Sequence, residues 1–147
     1  MKTASYIAAI HKALFSFQMI EEALRICVGL SYEVLEKSAP KPIAFRFNPK
    51  DINKASLGKL INMFSTVSSN TELASDLWKV VEWRNYCAHN AFVHEFLDRT
   101  TKSPFKAHGS EDVEAVAKVA RSLVERLGAE MKEIREAHKT VLGNGHA

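Results

Sequence analysis

The chain reads as an all-α protein, a four- to five-helix up-and-down bundle, and three observations predict it. Apolar residues recur at helical spacing in four separate segments. No segment alternates apolar and polar residues as a half-buried strand would. The breaks rich in proline or serine fall between those segments. With 147 residues, 46% of them hydrophobic, the chain is long enough for one core and too short for two. A single domain over residues 1–142 is expected, followed by a frayed tail at 143–147.

The first helix is expected over about residues 3–37. Ile7, Ile10, Leu14, Phe17, Leu24, Val28 and Leu35 repeat at near-heptad spacing, interrupted by Glu21 and Ser31. A second apolar set, Tyr6, Ala13, Ile20, Cys27 and Val34, widens the stripe until it needs two packing partners: two helices of the same chain, or one from another chain. Pro40, Pro42 and Pro49 make 38–51 a connector. A short helix over 55–67 presents Leu57, Leu60, Ile61 and Phe64 on one face and stops at Ser68-Ser69-Asn70. The third helix is expected over 71–98, capped by Thr71, with Glu72 and Asp76 in the early turns where the helix dipole favours acids. A second connector, 99–109, carries Pro104 and Gly109. Ser110 is a good cap for the last helix, whose core face is Val113, Val116, Ala120, Leu123, Leu127, Met131 and Ile134.

Composition excludes several classes. No apolar run reaches the length of a membrane span, and residues 1–20 are broken by Lys12, Ser16 and Gln18, so neither a membrane protein nor a signal peptide is expected. A cytoplasmic location follows, and with it two buried free thiols, Cys27 and Cys87, rather than a disulfide. Net charge is +3, but Lys37 to Lys54 and Arg99 to Ser110 together hold +7 and leave −4 for the rest of the chain. Basic loops of this kind suit contacts with phosphate backbones, and Lys41, Arg46, Lys50, Lys102 and Lys106 are the candidate contacts. Lysines that merely solubilise loops give the same pattern. Phe45 and Phe47 beside Arg46 either stack on bases or cap an edge of the core.

Sharper chemistries fail on spacing. His94 pairs with Asp98 or His89 at helical distances, but no third ligand completes a metal site, so no metal and no cofactor is expected. Cys87 and His89 lie about 200° apart on a helix and cannot form a nucleophile and base within one chain. Gly29 and Gly58 stand alone in helical patterns, where close helix packing is the ordinary reason. A helix–turn–helix over 57–81 would present Glu72 and Asp76 to a phosphate backbone, which repels them.

The unusual feature is Val80 to Phe92, VVEWRNYCAHNAF. At roughly 100° per residue, Leu73, Leu77, Val80, Val81, Ala88 and Ala91 all fall within about 60° of Arg84. A permanent cation therefore sits in an apolar stripe. It must be satisfied by an internal carboxylate, by a subunit contact, or by a site open to an anionic ligand. Asn85 and His89 are one turn apart and adjacent, and Arg84 lies about 140° round from His89, with a stem long enough to reach the same edge. Trp78 and Glu82 are near, and whether Glu82 pairs with Arg84 is open.

R-N-Y-C-A-H, Arg84 to His89, resembles the R-x(4–6)-H signature of the HEPN superfamily, in the form where Asn follows Arg and Ala precedes His. The long first helix, the short Leu-Gly-Lys-Leu-Ile helix at Leu57 to Ile61 and the motif late in the next helix are similar to small stand-alone HEPN proteins. The resemblance implies a homodimer that brings two motifs together across a two-fold axis. It also implies a metal-independent endoribonuclease, of the kind found as toxins or phage-defence effectors, leaving 2′,3′-cyclic phosphate and 5′-hydroxyl ends. His89 would then be the general acid or base, Arg84 would hold the scissile phosphate, and Asn85 would orient the histidine or bond the substrate. A nucleotidyltransferase-like or other antitoxin is the implied partner. Silencing by adenylylation needs a tyrosine two residues after the histidine; Ala91 stands there, and Tyr86 does not match that position. The alternative of a different class is a catalytically silent HEPN-type dimer that binds a partner protein or a nucleotide, and a third is an unrelated bundle with a structural arginine.

Overall fold

The computed structural model describes residues 2–90 and 110–143. Among the described residues the fold is all-α, with no strand, and no helix is long and apolar enough to cross a membrane. Its elements are α1 (Lys2–Ser38), α2 (Pro49–Asn53), α3 (Leu57–Val67), α4 (Thr71–Trp78), α5 (Val81–Asn85), a π-helical turn (Tyr86–Asn90) and α6 (Ser110–Gly143).

Two long helices form the frame. α1 and α6 run in the same direction. Residues 12–19 of α1 flank a groove with residues 114–125 of α6 near one end, and His138 Nε2 meets Glu33 Oε2 at 2.5 Å toward the other. α4 runs opposite to α6: Asn70 Nδ2 donates to Glu130 Oε2 at 3.1 Å, and Arg126 donates to Asp76 Oδ2 at 2.8 Å, so rising numbers on one meet falling numbers on the other. The wide apolar face of α1 is covered from within the chain. Ile10, Ala13, Phe17, Ile20, Leu24 and Val28 are buried, with α6 along one side and α3 and the α5 region along another. Of the two kinds of packing partner that this face requires, the chain supplies its own. On α6 the expected core face is buried from Val113 to Leu127, while Met131 and Ile134 pack against its edge.

Local signals explain the short helices. Asn48 caps α2, accepting from the Lys50 amide at 3.0 Å, with Pro49 in the first turn where its missing N–H costs nothing. Ser56 caps α3, accepting from the Lys59 amide. The cap of α4 is Asn70 rather than Thr71: its Oδ1 accepts from the Leu73 amide at 3.1 Å, and its amide nitrogen is held by Glu130. The 38–51 connector thus contains α2, and it doubles back along α1. Phe45 and Phe47 pack edge-on against Tyr32, with centroids 5.1 and 5.4 Å away. Both rings therefore belong to an edge of the core. Gly29 has open space where a Cβ would stand, and at Gly58 a Cβ would make an ordinary contact with Trp78 at 3.7 Å. Close packing, the ordinary expectation for these glycines, accounts for neither.

The third helix departs most from expectation. It is broken at Lys79 and Val80, whose amides bond three residues back to Asp76 and Leu77 and tighten the chain out of α geometry. It resumes as α5 and passes into the π-helical turn. Residues 91–98, and with them Ala91, His94 and Asp98, lie outside the described residues, as do the second connector and the tail beyond Gly143.

Asp76 offers a check on the α4–α6 contact. Hydrogen bonds from Arg126 and then Lys79 hold its carboxyl below the usual carboxylate range. A depressed pKa in the folded state stabilises the fold at pH values above the unfolded pKa, about 3.9. Asp76→Asn is expected to lower stability at neutral pH. Urea melts should show that deficit shrinking as pH falls through the depressed value; a deficit equal at pH 7 and pH 2 would refute this account.

Candidate functional site

Arg84 finds its counter-charge inside the chain. Its Nε donates to Glu21 Oε1 at 3.1 Å, and its Nη1 donates to Asn85 Oδ1 at 3.3 Å. Of the three ways to satisfy this cation, the internal carboxylate is present, and it comes from Glu21 of α1. Burial of charge therefore does not by itself demand a second subunit. The head group is not sealed: the side chain keeps 31% of its surface, against 15% for Glu21.

Both residues line an open cleft of about 340 Å³, together with His11, Leu14, Gln18 and Ala88 among others. His11, Gln18 and Glu21 share one face of α1, and His11 to Glu21 spans about 15 Å of helix. Leu14, Phe15, Phe17 and Ala88 supply its apolar lining, and His11, Gln18, Glu21 and Arg84 its polar groups.

The π-helical turn changes the relation of the motif residues. A hydrogen bond from i to i+5 widens the turn, so each residue advances by roughly 85°. One α step and four π steps leave Arg84 and His89 about 80° apart, against about 140° on a regular helix. The turn is pinned at its start: Tyr86 Oη and Tyr6 Oη share a buried hydrogen bond of 2.7 Å, and Trp83 packs edge-on against Tyr86 at 6.0 Å. His89 and Asn85 are exposed. His89 is outside the cleft lining, while its neighbour Ala88 is part of it. The three motif residues thus share one short segment, with Arg84 in the cleft and His89 exposed outside its lining.

The basic connector lies farther off. Lys41, Arg46 and Lys50 are exposed. Arg46 sits between the two phenylalanines that pack on Tyr32, eleven residues and about 16 Å along α1 from Glu21. Lys102 and Lys106 lie outside the described residues. Glu82 is exposed, and the carboxylate that meets Arg84 is that of Glu21.

Both thiols are buried and free. Burial first, with the Glu130 charge adding to it, pushes Cys27 up to about 12, and burial pushes Cys87 up to about 11. Neither is a nucleophile at neutral pH. Among the described residues no three His, Cys, Asp or Glu side chains gather as a metal site.

No family model matches the chain, and neither a curated protein nor a solved structure matches it. Its own geometry therefore carries the functional argument.

Neither His11 nor Phe15 of the cleft was singled out from the sequence, and Gln18 and Glu21 were visible only as polar interruptions of an apolar helix. The signal was present in the polar face 11–18–21 of α1. What it faces depends on how α5 docks, which no local pattern encodes.

Proposed function

We propose that the chain is a HEPN-type, metal-independent endoribonuclease that leaves 2′,3′-cyclic phosphate and 5′-hydroxyl ends. The observation that carries this reading is a partly exposed Arg84 in an open cleft, followed five residues later by an exposed His89 on a π-helical turn that narrows the angle between their backbone positions. Transesterification of RNA builds negative charge on the phosphorus-bound oxygens and needs a proton moved at the 2′-hydroxyl or the leaving 5′-oxygen. A fixed guanidinium answers the first need and an imidazole, which can give or take a proton, the second. Asn85, bonded to Arg84, orients the pair.

The test is incubation of the purified chain with mixed-sequence RNA in EDTA. Cleavage with cyclic-phosphate ends is the expected result; intact RNA would favour the silent HEPN-type module, a reading that the Glu21–Arg84 ion pair also supports.

A homodimer belongs to the same proposal. Phe15 is 64% exposed and Met19 43%, and both line a groove of about 680 Å³ between α1 and α6 rimmed by Lys12, Lys118, Arg121, Glu114 and Glu125. A rim carrying both signs suits a two-fold contact, in which a cation of one copy faces an acid of the other. Phe15 lines the Arg84 cleft as well, so such a contact borders the site. Sedimentation is expected to give a dimer for the wild type and a monomer for Met19→Glu. A monomeric wild type would remove the dimer. RNA substrate contacts through the connectors and an antitoxin partner remain parts of the proposal that these two experiments do not require.

A further inference from the structure

Glu21 stands between two guanidiniums. Its Oε1 accepts from Arg84 Nε at 3.1 Å, and its Oε2 lies 3.9 Å from Arg25 Nη2. Arg25 is tethered by Glu22 Oε1 at 2.6 Å and by the Ala55 carbonyl at 3.3 Å. Its Nε is buried and has no hydrogen-bond partner among the described residues. Two guanidiniums thus flank one carboxylate, which makes a single short bond to one and a long approach to the other. A phosphate, with more acceptor oxygens and more charge, fits two guanidiniums better than a carboxylate does.

We propose that Arg84 and Arg25 form a phosphate clamp and that Glu21 occupies it in the free chain, as a resident competitor that a phosphodiester displaces. The inference deepens the ribonuclease reading, since it rests on Arg84 as the phosphate-binding group, and it adds Arg25 and Glu21 to the site. The ion pair is only partly buried, so its exchange for a ligand does not require opening the core. Glu21 and Gln18 both line the cleft with Arg84, so a displaced Glu21 carboxylate has solvent to enter.

The experiment is calorimetric titration of the full-length chain with inorganic phosphate at low ionic strength. Glu21→Gln keeps the shape and removes the competing charge. It is expected to bind phosphate at least about fivefold more tightly, the effect of deleting one like charge at roughly 4 Å when it is screened as in bulk water. Adding Arg84→Gln or Arg25→Gln to Glu21→Gln should each cancel the gain. An affinity unchanged by Glu21→Gln overturns the clamp, as does a gain that survives the loss of Arg84. Independently of whether these variants fold, phosphate added to the wild-type chain should shift the arginine Nε–H resonances of Arg84 and Arg25, and shifts confined to other arginines overturn the proposal. A tighter phosphate site in a chain that cuts no RNA supports the clamp and removes the ribonuclease reading. RNA cleavage with no phosphate gain in Glu21→Gln sinks the clamp and leaves that reading standing.

Discussion

His89→Ala is expected to lower RNA cleavage by about 10²–10⁴-fold, the usual worth of a positioned general acid or base, while circular dichroism and melting temperature stay near wild type. The second half follows from exposure: the imidazole sits outside the buried core, and the turn that carries it is held by Tyr86 through Tyr6 and Trp83 rather than by His89. Arg84→Ala should cost cleavage comparably. It leaves Glu21 beside Arg25, so the lost cation does not strand a lone buried acid. Arg84→Lys is the sharper control. It keeps the charge but loses the planar fork, and should restore only part of the activity. Single-turnover cleavage of a labelled RNA in EDTA measures all three. Full activity in His89→Ala would end the proposed mechanism.

Phe64→Ala is expected to cost about 3–5 kcal/mol in unfolding free energy, through lost transfer energy and the cavity left behind. Phe64 is fully buried, and with Leu57, Leu60 and Ile61 it forms the whole apolar face by which the eleven-residue α3 docks. A helix that short has little stability of its own. Its N-cap, Ser56, sets where the helix starts but does not hold α3 onto α1. Against a total stability of about 5–15 kcal/mol for a domain of this kind, the loss should move the urea midpoint strongly at an unchanged slope. A change below about 1 kcal/mol would mean that α3 is not part of the cooperative core.

The sequence carried much of the architecture because the periodic segments are long. α1 and α6 span 37 and 34 residues, and many turns of consistent spacing leave little room for another reading of 3–37 or of a start at Ser110. The core face of α6 was legible from Val113 to Leu127 except for Ala117, which is buried as well. The third helix was misjudged because a continuous apolar stripe over 71–98 also fits a chain broken at Lys79 and Val80. Two bonds to the residue three back are enough to break it, and hydrophobic period does not register them. The cap at Asn70 rather than Thr71 has a similar cause: either side chain can cap, and only Asn70 also reaches Glu130 across the bundle.

For the site, the sequence by itself determined that a cation stands in an apolar stripe and that an asparagine and a histidine follow it. Those are facts of residue type and spacing. It took the packed fold to show that the cation meets Glu21, sixty-three residues away, that His11 and Gln18 share its cleft, and that His89 stands on a π-helical turn. The physical reason is that charge neutralisation acts through space: which carboxylate reaches Arg84 is set by how α5 lies on α1, and that docking is the sum of buried contacts spread across the whole core.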